Sequence, residues 1–97
     1  GGENISSVEI ENRIAKHPAV SLCAVAAAPH PLYGETPMAF IELAPQKKVT
    51  AEEIISFCRE ELAGFKVPKK VKFCTLPKTS TGKIQKFELR KLAKEEN

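Results

Sequence analysis

The sequence predicts an α+β domain in which about three helices pack on a small three-stranded sheet. Helical and strand-like hydrophobic patterns follow one another in the order α-β-β-α-β-α. Apolar residues make up 42% of the chain, enough for a packed core, and a length of 97 residues suits one domain over positions 1–97. No apolar run approaches the roughly 18 to 20 residues that cross a bilayer, so no transmembrane segment is predicted.

The first helix is marked by residues typical of a helix start. Ser6 and Glu9 have the spacing of a capping box. Ile10 and Ile14 then lie about one helical turn apart and share a face. The helix is expected to close at Pro18, because the residue before a proline is disfavoured in the helical conformation.

Two strands are predicted next. Residues 20–28 are small and β-prone, and residues 38–43 form a second apolar run. The prolines of segment 29–31 are expected to break the first strand, and residues 33–35 to form a turn or loop.

The second helix carries another capping box, Thr50 with Glu53. Gly64 is its expected stop, since glycine commonly follows the last helical turn. Its predicted buried face consists of Ile54, Phe57, Cys58 and Leu62.

The last part of the chain is predicted to hold a strand, a loop and a helix. Residues 71–76 alternate apolar and polar side chains, which is typical of a half-buried strand. Residues 77–82 read as a polar loop, and residues 87–93 as a basic helix with Leu89 and Leu92 facing inward.

Positive charge is concentrated toward the C-terminus. Ten of the 15 basic residues fall between Lys66 and Lys94, where Glu88 is the only acid. Such asymmetry favours a polyanionic partner, either a nucleotide, CoA or nucleic acid, although a solvated basic face would look the same.

The three cysteines, Cys23, Cys58 and Cys74, are far apart and odd in number. They form no Cys-x-x-Cys or Cys/His cluster, so neither a metal site nor a disulfide framework is predicted. Free cysteines suit a reducing interior, and we expect them to be small core residues of a cytoplasmic protein. Neither His17 nor His30 is expected to act as a base or nucleophile.

The segment LPKTSTGKI, residues 76–84, is expected to contain the catalytic residue. It joins a predicted strand to a helix, and its Gly82-Lys83 pair can present one ammonium group to phosphate or carboxylate oxygens. The phosphate-binding P-loop has similar spacing. However, Pro77 stands where that motif begins with glycine, and Ile84 stands where it has a magnesium-binding hydroxyl, so a P-loop is not favoured.

The longer stretch PKTSTGKIQK resembles the terminal signature of the adenylate-forming superfamily, which contains acyl-CoA synthetases, luciferases and peptide-synthetase adenylation domains. Further segments agree with that family in the same order: GGENI followed by VEIE near the start, then HPAV, YGETPMAF and FKVPK. The resemblance covers essentially the whole chain. It identifies the chain as similar to the mobile C-terminal lid of an ATP-dependent acyl-CoA synthetase.

The resemblance implies two reaction steps. A carboxylic acid attacks the α-phosphate of Mg²⁺-bound ATP to give acyl-adenylate and pyrophosphate, and the thiol of CoA then displaces AMP to give a thioester. A large N-terminal domain, absent from this chain, would hold ATP, Mg²⁺ and the acid, so the isolated lid should be inactive. In the first orientation of the lid, a protonated Lys83 would stabilise the charge shared by the carboxylate and the α-phosphate.

In a second orientation the lid would contribute to the CoA site. The resemblance implies that Gly1 and Gly2 line the pantetheine tunnel, where side chains would not fit. Lys69 would then meet a CoA phosphate, and Phe65 the adenine. A solvated turn lysine and a core phenylalanine are the plainer alternatives for these last two residues.

Two other functions remain open from the sequence. The thiol acceptor could be the pantetheine of a carrier protein, or the complete enzyme could be a luciferase-like oxidase. A basic nucleic-acid-binding module is the second possibility, but the aromatic residues are sparse and are not interleaved with the basic ones as stacking would require. No nucleic-acid partner is therefore expected.

Overall fold

The computed structural model describes residues 7–32 and 34–95. Helices and strands follow the predicted order and confirm the α+β class. The elements are α1 Ser7–Ala15, β1 Val20–His30, β2 Gly34–Leu43, α2 Ala51–Arg59, a 3-10 helix Gly64–Lys66, β3 Lys70–Phe73 and α3 Lys86–Glu95. In the part of the chain so described, no helix is both long and apolar enough to cross a membrane.

The sheet has the order β1-β2-β3, with β1 antiparallel and β3 parallel to the central strand. Side chains alternate between its two faces, as strand geometry requires. On one face α1 and α2 pack over a core that contains Ile10, Ile14, Val25, Ala39, Ile41, Ile54 and Cys58. On the other face α3 packs over a core that contains Ala24, Ala26, Ala28, Met38, Phe40, Leu89 and Ala93.

The β1–β2 hairpin is longer than predicted. β1 continues through His30 and β2 begins at Gly34, so the expected break at 29–31 and the expected loop at Gly34 and Glu35 were wrong; Tyr33 lies outside the described residues. Pro29 pairs with Glu35 at the exposed end of β1. β1 is an edge strand, where a proline nitrogen can face the open side without loss of a ladder hydrogen bond.

Pro37 is tolerated in the central strand for a related reason. Its carbonyl accepts the Lys69 backbone N–H at 3.2 Å. Because the N–H and C=O of a strand residue point to the same side, the proline nitrogen faces the third strand. That strand begins only at Lys70, opposite Met38, so the missing donor leaves no gap in the ladder.

The predicted cap of α2 is confirmed, whereas its predicted stop is wrong. Thr50 Oγ1 accepts the Glu53 N–H at 3.1 Å, and Glu53 Oε1 accepts the Thr50 N–H at 3.3 Å. The helix ends at Arg59 because the chain turns so that Leu62 can enter the core. Gly64 instead opens the 3-10 helix.

The predicted buried faces are confirmed in most positions. Ile54, Cys58 and Leu62 are buried, but Phe57 is only half-buried. The Arg13 guanidinium lies 3.6 Å from its ring centroid, which provides a cation–π contact instead. In α3 Leu89 is buried and Leu92 half-buried, and the Ser6 capping box lies outside the described residues.

The cysteines are packed rather than exposed. Cys58 is buried, while Cys23 and Cys74 are partly buried. Burial raises the pKa of all three thiols, and the pKa of Cys23 reaches about 11. All three are free, as the sequence predicted.

Candidate functional site

The segment that carries Lys83 is folded as a short hairpin between β3 and α3. We call residues 77–85 the lysine hairpin. The Thr79 N–H donates to the Lys83 carbonyl at 2.8 Å, and the Gln85 N–H donates to the Pro77 carbonyl at 2.9 Å. These bonds, with a bridge between Lys78 and Ile84, give the predicted loop a defined stem.

The turn of the lysine hairpin depends on Gly82. Its N–H donates to the Thr79 carbonyl at 2.9 Å, and its φ of 87° lies in the left-handed region that glycine adopts readily. Three residues link Thr79 to Lys83, a common hairpin loop with a left-handed final residue. The Thr79 hydroxyl also accepts the Lys83 N–H at 3.1 Å, so both the N–H and the carbonyl of Lys83 are hydrogen-bonded to Thr79.

Lys83 lies at the surface of the domain. The residue is exposed, and within residues 7–32 and 34–95 no carboxylate forms an ion pair with it. Two lysines close to it in sequence, by contrast, form ion pairs. Lys78 pairs with Glu42 at 3.0 Å, and Lys86 pairs with Glu11 at 2.7 Å. A hydrogen-bonded backbone therefore carries a lysine that has no ion-pair partner among the described residues, an arrangement suited to binding an external anion.

Glu42 holds the entry to the lysine hairpin, and sequence reasoning missed it. Its Oε1 accepts both the Leu76 N–H and the Lys78 ammonium, each at 3.0 Å. The bond from the Leu76 N–H has the larger effect, and together the two bonds hold the pKa of the carboxyl below its ordinary value. An acid at the end of an apolar strand, after Phe40 and Ile41, was the signal that could have identified it.

Glu11 makes a similar contact beyond the end of the hairpin, at the first residue of α3. Its Oε2 accepts the Val25 N–H of edge strand β1 and the Lys86 ammonium, each at 2.7 Å. The same ammonium donates to Ser7 Oγ at 3.3 Å. Helix α3 is therefore tied to α1 directly after the lysine hairpin.

Lys69, which is predicted to meet CoA, lies at the other end of the sheet from the lysine hairpin. Lys69 donates its backbone N–H to Pro37, five positions before Glu42 on β2, which is roughly 17 Å at about 3.3 Å per residue. Phe65 is 72% exposed, which rules out the core alternative for its ring. The Lys66 ammonium lies 5.6 Å from the centroid of that ring. Gly1 and Gly2 lie outside the described residues.

The histidines have local structural roles. The Nδ1 atoms of His17 and His30 accept the N–H groups of Ala19 and Leu32, each at 3.1 Å. Both rings thus shape turns. Over the two described stretches of chain, no group of three His, Cys, Asp or Glu residues could hold a metal ion.

Comparisons with known proteins identify the family of the chain. The family of AMP-binding enzyme C-terminal domains matches residues 9–83. A trans-cinnamate:CoA ligase of Petunia hybrida, named as peroxisomal, is 54% identical over 95 residues, which cover 97% of this chain and 17% of that protein. An acetate–CoA ligase of Humulus lupulus is 51% identical over 100 residues, covering 98% and 18%.

A solved structure supports the same assignment. The fatty acyl-CoA synthetase of Mycobacterium tuberculosis superposes with a TM-score of 0.89 and 38% identity, over 99% of this chain and 19% of that chain. The chain thus spans less than a fifth of the length of these relatives. The resemblance drawn from the sequence motifs is confirmed, and the chain belongs to the family of AMP-binding enzyme C-terminal domains.

Proposed function

We propose that residues 1–97 are the C-terminal lid of an ATP-dependent, AMP-forming acid–CoA ligase, and that Lys83 supplies the ammonium group for acyl-adenylate formation. The observation that carries this proposal is that Lys83 is exposed, lies on a hydrogen-bonded hairpin and forms no ion pair with any carboxylate in the described part of the chain. The names of the relatives, which are CoA ligases, support the reaction class.

In the first half-reaction a carboxylate oxygen attacks the α-phosphorus of ATP as the bond to pyrophosphate breaks. Negative charge spreads over the oxygens of the reacting centre. An ammonium group held at that centre stabilises this charge more in the transition state than in the ground state. The hydrogen bonds of Thr79 to Lys83 reduce the motion of the lysine backbone, which favours a preorganised position.

In the second half-reaction we propose that the opposite end of the domain faces CoA. Lys69 would bind a phosphate of CoA and the exposed ring of Phe65 its adenine, while Gly1 and Gly2 would line the pantetheine tunnel. The distance along β2 between Lys69 and the lysine hairpin supports this division, because one fixed orientation of the lid does not bring both ends to one centre. We therefore propose that the lid rotates between the two steps.

The partners of the lid are proposed on the same grounds. A large N-terminal domain would hold the acid and ATP with its Mg²⁺, and no metal role is proposed for this chain. The names of the relatives suggest trans-cinnamate and acetate as first acids to test. A relative named as peroxisomal makes that organelle an alternative to the predicted cytoplasmic location.

The test is a Lys83→Ala substitution in the complete enzyme, with each half-reaction measured separately. Pyrophosphate exchange reports adenylate formation, and release of AMP from supplied acyl-adenylate and CoA reports thioester formation. We expect adenylate formation to fall by about 100- to 1000-fold, the usual loss when one preorganised donor is removed, with thioester formation nearly unchanged. Lys91→Ala, on the exposed surface of α3, is the matched control and should leave both rates unchanged.

Four results would contradict the proposal or a part of it. Equal losses in both half-reactions would indicate a folding defect or a shared site, and no loss in either would remove Lys83 from the reaction. If thioester formation is more efficient with carrier-protein pantetheine than with CoA, the assigned thiol acceptor is wrong. Binding of generic oligonucleotides more tightly than CoA would favour a nucleic-acid-binding module.

A further inference from the structure

We infer that Glu42 is a positioning residue for adenylate formation, which acts by fixing the lysine hairpin at its entry. The inference rests on the proposed function of Lys83 and deepens it. Glu42 does not itself contact the substrate. Its effect reaches the reaction only through the position of the hairpin.

The register of the sheet shows what the Glu42 carboxylate replaces. β3 pairs with β2 in parallel up to Phe73 opposite Ile41, and the next bond runs from the Cys74 N–H to the Ile41 carbonyl. In a continued ladder, the Leu76 N–H would be directed at the carbonyl of Leu43. It donates instead to Glu42 Oε1 at 3.0 Å.

This exchange marks the point where the chain leaves the sheet. A backbone carbonyl would have extended β3, whereas a side-chain carboxylate satisfies the same N–H and lets the chain turn into the lysine hairpin. Leu76 is only 2% exposed, so its N–H would have no compensating solvent if the acceptor were removed. The direction in which the hairpin begins therefore depends on one carboxylate.

The carboxylate makes a second contact inside the hairpin stem. Oε1 also accepts the Lys78 ammonium at 3.0 Å, and that ammonium donates to the Leu76 carbonyl at 3.2 Å. Lys78 pairs across the stem with Ile84, the residue after Lys83. Glu42 is thus linked to Lys83 through the stem, from a rigid central strand.

The size of the expected effect follows from geometry. Displacement of a catalytic group by about 1 Å can lower a rate on the order of 100-fold. We expect Glu42→Ala to lower adenylate formation by about 10- to 100-fold. Glu42→Gln keeps an acceptor oxygen for Leu76 and should recover part of the rate. Lys78→Met removes the ion pair and the bond from the ammonium to the Leu76 carbonyl, but it keeps the bond from the Leu76 N–H to Glu42, so it should cause a similar partial loss.

The matched control is Glu11→Ala. Glu11 also accepts one strand N–H and one lysine ammonium, but its lysine, Lys86, lies outside the hairpin. Both alanine variants should lose stability to urea, so stability alone does not separate them. Only Glu42→Ala should lose adenylate formation strongly, and neither should slow thioester formation from supplied acyl-adenylate.

A double substitution separates positioning from a general structural role. If Glu42 acts through the lysine, Glu42→Ala should add almost no loss of adenylate formation to Lys83→Ala. If the loss of adenylate formation in the double variant equals the product of the two single losses, the inference is overturned. An unchanged rate in Glu42→Ala, when Lys83→Ala is impaired, would overturn it as well. An unchanged rate in Lys83→Ala itself would refute the proposed function and this inference with it. Should Glu42→Ala fail to fold, Glu42→Gln and Lys78→Met support the same comparison.

Discussion

Gly82 allows the geometry of the lysine hairpin to be tested by a single methyl group. A Cβ added at Gly82 meets no atom within 4 Å, so alanine should cause no steric clash. Its φ of 87° is nevertheless unfavourable for an L-residue, at a cost of roughly 1 to 2 kcal/mol. Gly82→Ala should therefore destabilise the folded chain by about that amount, or relax the turn and displace Lys83.

Two other glycines provide matched controls. Gly34 has a φ of 79°, and a methyl group added there would also have no atom within 4 Å, but it lies at the β1–β2 turn. Gly34→Ala should cost about the same 1 to 2 kcal/mol without affecting the hairpin. Gly64 is equally open and has no left-handed φ, so Gly64→Ala should be neutral or stabilise by about 0.4 to 1 kcal/mol.

Urea unfolding of the three variants measures the free energies, and pyrophosphate exchange in the complete enzyme measures adenylate formation. We expect stability to fall for Gly82→Ala and Gly34→Ala only, and adenylate formation to fall for Gly82→Ala only. Equal stability of Gly82→Ala and Gly64→Ala would refute the argument from left-handed strain. Equal losses of adenylate formation in Gly82→Ala and Gly34→Ala would refute the argument from hairpin geometry.

Three further predictions concern the domain itself. Thr50→Ala removes the α2 capping box and should cost about 1 kcal/mol in urea unfolding, whereas the exposed Thr75→Ala should change little. The pKa of Glu42 is lowered in the folded state, so its stabilisation is present above the unfolded pKa of about 4.3 and is lost as pH falls through the folded value. The stability difference between wild type and Glu42→Gln should accordingly shrink from neutral to acidic pH, and a constant difference would contradict the assigned bonds. Cys23 and Cys58 should react with a disulfide reagent much more slowly in the native chain than in urea at neutral pH, because thiolate is the reactive form; equal rates would contradict their burial.

Local signals explain the parts of the fold that could be predicted from sequence. The Thr50 and Glu53 pair lies within one helical turn, and Ile10 and Ile14 lie on one face, so neither depends on distant contacts. The first and last residues of the strands were harder to predict from the sequence. Whether Pro37 interrupts a strand depends on which side its nitrogen faces, and that side is set by a neighbour from a distant part of the chain.

The chemistry of the site divides in the same way. The sequence by itself identified the family and singled out Lys83, because the motif around it is contiguous and its residues suit phosphate chemistry. Only the tertiary structure revealed Glu42 as an anchor, since its contacts join positions 34 and 36 residues apart. Residue type and spacing determine which groups the chain offers, whereas the pairing of β2 with β3 decides which of them meet, because that pairing is a property of the folded sheet.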